Sequence, residues 1–174
     1  MEKVQSHVRQ VAGAHGAVLE EELDKMNLPQ AAMKETLRLH QAVPLLIPCE
    51  SIKDAQLHGY DIPAKTRVMV NTWGIGRDKE SWENAKEFRL ERFLGGTIDY
   101  NGKDPWFLPF DTGRRGSPGM AFGTRLAELT LANMLYHFDW ELPSGQHPES
   151  FEVVEASGVS PGLKSVLIIA IKPL

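Results

Sequence analysis

The chain has 174 residues, 42% hydrophobic content and a formal net charge of −4, values that fit a single globular domain. This acidic balance argues against nucleic acid as a partner, because phosphate binding usually requires a basic surface. No apolar run approaches the roughly 18 residues needed to cross a bilayer, and the first residues lack the apolar core of a signal peptide or anchor. Cys49 is the only cysteine, which excludes an internal disulfide and a multi-cysteine metal site.

The first forty residues predict two helices. Valines at helical spacing predict a short helix over 2–12, which Gly13 and Gly16 end. Residues 28–40 predict the first long helix, because Pro29 suits a helix start and the residues after it favour helix.

The next segment predicts extended structure. Pro44 and Pro48 exclude helix and hold the chain between them extended. Residues 55–71 then predict a strand, a turn over 61–65 and a second strand over 66–70, which is β-branched and alternating.

Ser117 and Pro118 predict the start of a second long helix, because serine caps helices well and proline suits the first helical position. One apolar stripe of this helix is expected to be buried, namely Ala127, Leu131, Met134, Leu135 and Phe138. Apolar runs at 151–156 and 166–171, joined through Gly158, Pro161 and Gly162, predict two strands in the tail. The predicted fold is therefore mainly α with small β-sheets (α+β), with a thin core that suggests one piece of a larger fold.

The segment from Phe110 to Gly119 is a glycine-rich loop with two arginines that leads into a helix. Free backbone N–H groups and the helix dipole favour an anionic ligand at such a position. Arginine can add paired hydrogen bonds to a carboxylate or phosphate. From the local residues alone, the simpler interpretation is a capped helix start with solvated arginines.

The spacing of this loop resembles the haem-binding loop of cytochrome P450s. Phe110, Gly113, Arg115 and Gly119 match that signature, and Ser117 stands where the family has its haem-ligating cysteine. The resemblance implies that these five positions bind haem and that position 117 is the axial metal-ligand position. It further implies that Arg115 pairs with a haem propionate and that Phe110 packs near the ligating atom.

Three further segments resemble the same family in the same order. Glu35 and Arg38 match its Glu-x-x-Arg motif, and Arg92 matches the arginine that completes a buried Glu–Arg–Arg network. Residues 71–78 resemble the segment that runs between those two motifs. The motifs are most similar to those of plant microsomal members of the family, which act in plant secondary metabolism. The resemblance implies one partial domain over 1–174, from just after the central helix of a P450 to its C-terminal β hairpin.

Four positions depart from the family pattern. A serine hydroxyl is far less acidic than a thiol and binds iron poorly, so we expect Ser117 to act only as a helix cap. Cys49 stands where an arginine usually helps to hold a propionate, and we expect an inert, partly buried thiol there. Because Cys49 lies on a different segment, we do not expect it to replace the iron ligand. Asp111 replaces a glycine and disfavours nearby propionates, and Leu90 replaces a proline.

The resemblance implies haem-dependent monooxygenation of a small apolar molecule with O₂ and electrons from a cytochrome P450 reductase. Residues 42–47 and 157–163 would then line part of the substrate pocket. Because of Ser117, and because the chain begins near the end of the central helix as a truncated reading frame would, we expect no such activity.

Two alternatives remain open. In the first, the chain is a non-catalytic protein that binds or interferes with the reductase or full-length relatives, through a basic surface that includes Arg114 and Arg125. In the second, the chain is the non-functional product of a decayed gene. Relatives are held at the endoplasmic reticulum membrane by an N-terminal anchor, a segment that we do not find in this sequence.

Overall fold

The computed structural model describes residues 1–13, 16–142, 154–156, 158, 160–163 and 170–173. The architecture is mainly helical with small antiparallel sheets, as predicted. The α-helices are α1 (Glu2–Ala12), α2 (Asn27–Leu39), α3 (Thr72–Ile75) and α4 (Met120–His137). Short 3₁₀ helices lie at Glu20–Lys25, Leu90–Phe93 and Gly113–Arg115. The helix predicted over 2–12 is confirmed, and the one predicted over 28–40 is confirmed to within one residue at each end.

The strands form antiparallel pairs that are each two strands wide in the described part of the chain. The pairs are β1 (Cys49–Glu50) with β4 (Arg67–Val68), β2 (Ala55–Leu57) with β3 (Tyr60–Ile62), β5 (Phe138–Glu141) with β8 (Ala170–Pro173), and β6 (Glu155–Ala156) with β7 (Gly162–Leu163). Gly162 therefore lies in a strand, not in the connection where the sequence placed it. Most of the runs 151–156 and 166–171 lies outside the described residues.

The predicted turn over 61–65 is confirmed for its second half, since the chain turns at Ala64-Lys65 and the amide of Thr66 donates to the carbonyl of Pro63 at 3.3 Å. An earlier turn was missed. The chain reverses at His58-Gly59, where both residues have positive φ, 49° and 84°. Two such residues suit the tight turns that match the twist of a hairpin, so β2 and β3 pair with each other. The strand after Lys65 instead returns to β1, which brings Cys49 opposite Val68.

Two apolar clusters hold the described structure together. In the first, α1 packs on α4, and it includes the fully buried Val8, Ala12, Met26 and Ala132. Arg9 of α1 also forms an ion pair with Asp139 of β5 at 2.8 Å. The second cluster lies between α2 and the loops after α3, and its buried members are Ala31, Trp82, Ala85, Phe93, Tyr100 and Phe107.

The start of α4 differs from the prediction. The helix begins at Met120, and its N-cap is Gly119, which makes no side-chain cap hydrogen bond. Ser117 lies in the turn before the helix, where its amide donates to the carbonyl of Phe110 at 2.9 Å. The prediction of Ser117 as N-cap was therefore wrong, because the preceding loop closes on Ser117 before the helix starts.

The buried face of α4 also differs from the predicted stripe. Its buried residues are Thr124, Glu128, Ala132 and Leu135. Leu135 of the predicted stripe is thus confirmed, whereas Ala127 and Leu131 are only partly buried and Met134 is 40% exposed. Apolar residues occur around the whole helix, so periodicity alone does not select a face. Packing against α1, α2 and the loop that carries Tyr100 selects it. Among the residues that the structure describes, no helix combines the length and the apolar character needed to span a bilayer.

A buried polar pair links α4 to the loop after Leu90–Phe93. The Tyr100 hydroxyl donates to the Glu128 carboxylate at 3.1 Å, and both side chains are buried. Burial raises the pKa of Glu128 above its ordinary value of 4.5, against the opposing effects of the Tyr100 hydrogen bond and Arg125. Burial and the neighbouring Glu128 carboxylate also raise the pKa of Tyr100.

This pair predicts a pH dependence of stability. The folded state binds the Glu128 proton more tightly than the unfolded chain does, so this contribution is fully present below about pH 4.5 and declines as the pH rises through the folded pKa. Glu128→Gln keeps an acceptor for Tyr100 without the charge. We expect the stability of the variant relative to the native protein to increase from pH 4 to 7 in urea denaturation.

The matched control is Glu83→Gln, since the Glu83 side chain is 83% exposed. Its stability difference from the native protein is expected to stay constant over the same pH range. A Glu128→Gln difference that is equally flat would show that burial does not penalise this carboxylate.

Candidate functional site

The ion pair of Glu35 and Arg38 is the most deeply buried charged group in the described structure, with both side chains 0% exposed. One turn of α2 separates them, which brings both to one face of the helix. Their contact is bidentate: Nε of Arg38 donates to Oε2 of Glu35 at 2.6 Å, and Nη2 donates to Oε1 at 2.8 Å.

Arg38 also fixes the loops that follow α3. Its remaining donors reach the carbonyls of Gly76, of Ala85 at 2.7 Å and of Glu87 at 3.1 Å. All five N–H groups of the guanidinium are thereby used, and its plane lies over the ring of Trp82, 5.1 Å from the centroid. A single side chain therefore holds three backbone carbonyls in place.

Arg92 closes the network from the 3₁₀ helix Leu90–Phe93. Its Nε donates to Oε1 of Glu35 at 3.2 Å, and its Nη2 donates to the carbonyl of Asn84 at 2.9 Å. The amide of Arg89 donates to the same Glu35 oxygen at 2.7 Å. The structure thus brings together Glu35, Arg38 and Arg92. Their contacts anchor the loops that follow α3, so this cluster organises the fold and does not form a reactive site.

The loop before α4 is held by its own backbone. The amide of Gly116 donates to the carbonyl of Gly113, and Ser117 donates to Phe110 as described above. Asp111 and Gly113 both have positive φ, 67° and 65°. An aspartate tolerates this conformation better than most residues, and here its carboxylate accepts from the amide of Thr112 at 2.7 Å.

An open cavity of about 740 Å³ lies between this loop and the segment that runs from residue 42 to residue 52. Its walls are mainly apolar and include Val43, Leu46, Ile47, Ile52, Pro109 and Phe110. The polar groups in the wall are Cys49, Glu50, Asp111, Arg115 and Ser117. Cavities of 300–1,000 Å³ with apolar walls and a few polar groups are typical of small-molecule sites.

The residues expected to bind a cofactor divide into two groups. Phe110, Arg115 and Ser117 line the cavity. Gly113 and Gly119 do not line it and instead shape the loop, one through its positive φ and the other at the N-cap of α4. Four residues of the expected pocket segment 42–47 also line the cavity, namely Ala42, Val43, Leu46 and Ile47. Two positions of the other expected segment, 157 and 159, lie outside the described residues, and Gly158, Ser160 and Pro161 do not line the cavity.

Sequence reasoning missed the position of Cys49. We expected a partly buried thiol, but Cys49 is exposed, since β1 is one edge of a two-stranded pair. Its thiol donates to the carbonyl of Ile47 at 3.5 Å. Although it lies on a different segment, it shares the cavity wall with Ser117. The positive φ of Leu46 and the pairing of β1 with β4 direct this segment toward the cavity, and neither is visible in residue spacing.

The residues of the cavity fit only part of a haem group. The apolar walls suit the body of a macrocycle, and Arg115 suits one carboxylate. Ser117 offers a neutral hydroxyl in place of a thiolate, and Glu50 and Asp111 add two carboxylates to the wall. These groups do not match an iron that requires a soft ligand or a molecule with two carboxylates of its own.

The basic surface considered for a protein partner is weaker than expected. Arg125 forms an ion pair with Asp24 at 2.6 Å and lies 3.9 Å from the Glu128 carboxylate. Arg114 is exposed on the 3₁₀ helix Gly113–Arg115. One of the two arginines is therefore already neutralised within the chain.

Comparison with known proteins identifies relatives over nearly the whole chain. The family model described as Cytochrome P450 matches residues 1–166. Cytochrome P450 71A1 of Persea americana is 48% identical over 172 residues, which cover 99% of this chain and 34% of that protein. Tryptamine 5-hydroxylase of Oryza sativa subsp. japonica is 44% identical over 176 residues, again 99% of this chain and 34% of the relative.

Solved structures give the same result. A zebra fish cytochrome P450 with abiraterone superposes with a TM-score of 0.86 at 26% sequence identity, and the match covers 99% of this chain and 39% of that one. The chain therefore spans about a third of the length of the curated relatives it matches.

Proposed function

The chain belongs to the cytochrome P450 family, and we propose that it forms the haem-side part of a monooxygenase-type pocket for a small apolar molecule. We further propose that it does not support oxygen activation while serine occupies position 117. The observation that carries both statements is the hydroxyl of Ser117 in the wall of the apolar cavity. Family membership supports the reaction class, and the residues of the cavity support the loss of activity.

The lost activity follows from the chemistry of the side chain. In the family, haem held by a cysteine thiolate supplies the redox chemistry that activates oxygen. A serine hydroxyl remains protonated near neutral pH and donates far less electron density than a thiolate. Among the described residues no group accepts a proton from Oγ of Ser117, so nothing there activates this hydroxyl as a ligand.

The surrounding residues favour an apolar guest. Val43 and Leu46 face the loop that carries Phe110 and Pro109 across the cavity. The Glu35–Arg38 network holds the loops after α3, because Arg38 binds carbonyls on both sides of Trp82. The chain thus retains an apolar pocket wall and lacks the sulfur atom that holds the iron in the family.

Ser117→Cys tests this proposal. With haem in excess, the reduced, carbon-monoxide-treated variant is expected to show a thiolate-type absorption spectrum, because the sulfur replaces the hydroxyl at the cavity wall. The native chain is expected to show none. Ser117→Ala is the matched control and is expected to match the native chain, since it removes the hydroxyl without adding a ligand.

A thiolate-type spectrum from the native chain would contradict the proposal. Cys49→Ser is then expected to abolish the spectrum, since Cys49 is the only cysteine of the native chain. Failure of Ser117→Cys to produce the spectrum, with the protein folded by circular dichroism, would contradict the assignment of position 117 to the iron.

A further inference from the structure

The charges in the cavity wall point to a ligand class different from the cofactor of the family. Glu50 and Asp111 contribute two carboxylates, and Arg115 contributes one guanidinium. Within the described residues, none of these three side chains forms an ion pair. Arg67 lies opposite Glu50 in the β1–β4 register but does not line the cavity.

Asp111 is the charge that the backbone holds most firmly. Its positive φ and its hydrogen bond to the amide of Thr112 keep the carboxylate beside the loop. An anion entering the cavity cannot displace it without disturbing that turn. One like charge about 4 Å away in water weakens binding by about five-fold.

We propose that this cavity binds an uncharged, largely apolar molecule and discriminates against anions, the dicarboxylate haem among them. The apolar walls supply the affinity, since each Å² of apolar surface removed from water is favourable. The Asp111 carboxylate repels anions, and the Glu50 carboxylate adds to this effect. The Arg115 guanidinium partly offsets it, because it attracts anions. The inference uses the same cavity as the proposed function and depends on its charge, whereas the Ser117→Cys spectrum depends on a ligand atom.

Two fluorescent probes with one skeleton test the proposal. N-phenyl-1-naphthylamine is neutral, and 8-anilinonaphthalene-1-sulfonate is the same bicyclic amine with a sulfonate that stays ionised at all working pH values. We expect the neutral probe to bind the full chain saturably and more tightly than the sulfonate. Asp111→Asn, which tolerates the same φ and still accepts from Thr112, is expected to strengthen sulfonate binding about five-fold and leave the neutral probe unchanged.

Two variants locate the binding. Ala42→Trp places a large ring in the cavity wall and is expected to weaken both probes at least ten-fold. Phe122→Ser removes an apolar side chain that is 75% exposed on α4, outside the cavity, and is expected to change neither. Arg115→Gln is expected to weaken only the sulfonate. Thermal unfolding of each variant confirms that it is folded.

Several results would overturn the proposal. Equal or tighter binding of the sulfonate by the native chain would show that the cavity does not discriminate against anions. An unchanged ratio of the two probe affinities in Asp111→Asn would show that Asp111 is not the cause of the discrimination. Loss of binding in Phe122→Ser but not in Ala42→Trp would place the probes on α4. Absence of neutral-probe binding would show that the cavity is not a binding site. None of these results alters the Ser117→Cys spectrum, so the charge discrimination and the assignment of position 117 to the iron fail separately.

Discussion

Replacing Glu35 with alanine is expected to lower the free energy of unfolding by about 3–5 kcal/mol. Arg38 would then carry a charge with no counterion at a position where its side chain is 0% exposed. A buried charge that loses its partner is strongly destabilising, because neither water nor another group replaces the interaction. Urea denaturation followed by circular dichroism measures the effect.

The matched control is an ion pair on the surface of the same region. Glu83 lies 3.8 Å from Arg89, and its side chain is 83% exposed. Glu83→Ala is expected to cost about 0–1 kcal/mol, since exposed pairs are screened by solvent. If Glu35→Ala cost no more than this control, the network would not stabilise the fold.

A second variant keeps the test informative if Glu35→Ala does not fold. Glu35→Ala combined with Arg38→Met removes both charges and replaces the guanidinium with an apolar chain of similar length. We expect the double variant to be more stable than Glu35→Ala alone, because no uncompensated charge remains. Loss of the hydrogen bonds to Gly76 and Ala85 should still leave it less stable than the native chain.

Replacing Gly76 with alanine is expected to cost about 1–3 kcal/mol. Its backbone is helical, with φ of −65° and ψ of −14°, so a side chain is not disfavoured by conformation. A Cβ would instead collide with the carbonyl oxygen of Arg38, which belongs to the rigid backbone of α2. Any displacement of Gly76 would also disturb its own carbonyl, which accepts from the Arg38 side chain.

Gly123 provides a control in which alanine is expected to change the free energy of unfolding in the opposite direction. It lies inside α4, and a Cβ there meets no atom within 4 Å. Gly123→Ala is expected to raise the free energy of unfolding by about 0.5–1 kcal/mol, because alanine loses less conformational entropy in a helix. Thermal and urea denaturation of the two variants measure the difference. Effects of equal size and sign would contradict the close contact of Gly76 with Arg38.

Residues close in sequence made part of the fold predictable. The helices α1 and α2 follow from spacing and propensity, which depend on neighbours within one or two turns. The start of α4 did not follow, because the bond from Ser117 to the Phe110 carbonyl spans seven positions and takes Ser117 out of the helix. Ser117 is therefore a residue type that favours the N-cap position, but the loop places it outside the helix.

In the candidate site too, neighbouring residues predict some features and contacts between distant segments determine the others. Spacing alone marked Glu35 and Arg38 as a helical pair, a pattern that is usually a weak surface ion pair. Only the packing of the loops after α3 buries it, because carbonyls from three separate positions converge on Arg38. The contact of Cys49 with the cavity likewise depends on the pairing of β1 with β4, which joins residues 17 and 19 positions apart.

The order of amino acids alone was enough to indicate the family, the helical segments and the serine at position 117, since these depend on residue identity and short-range spacing. The tertiary structure decided which face of α4 is buried, which residues surround the cavity and how the carboxylate of Asp111 is held there. Each of these depends on contacts between segments distant in the chain. Long-range packing and backbone conformation, and not the local pattern, therefore determine the shape and the charge of the pocket.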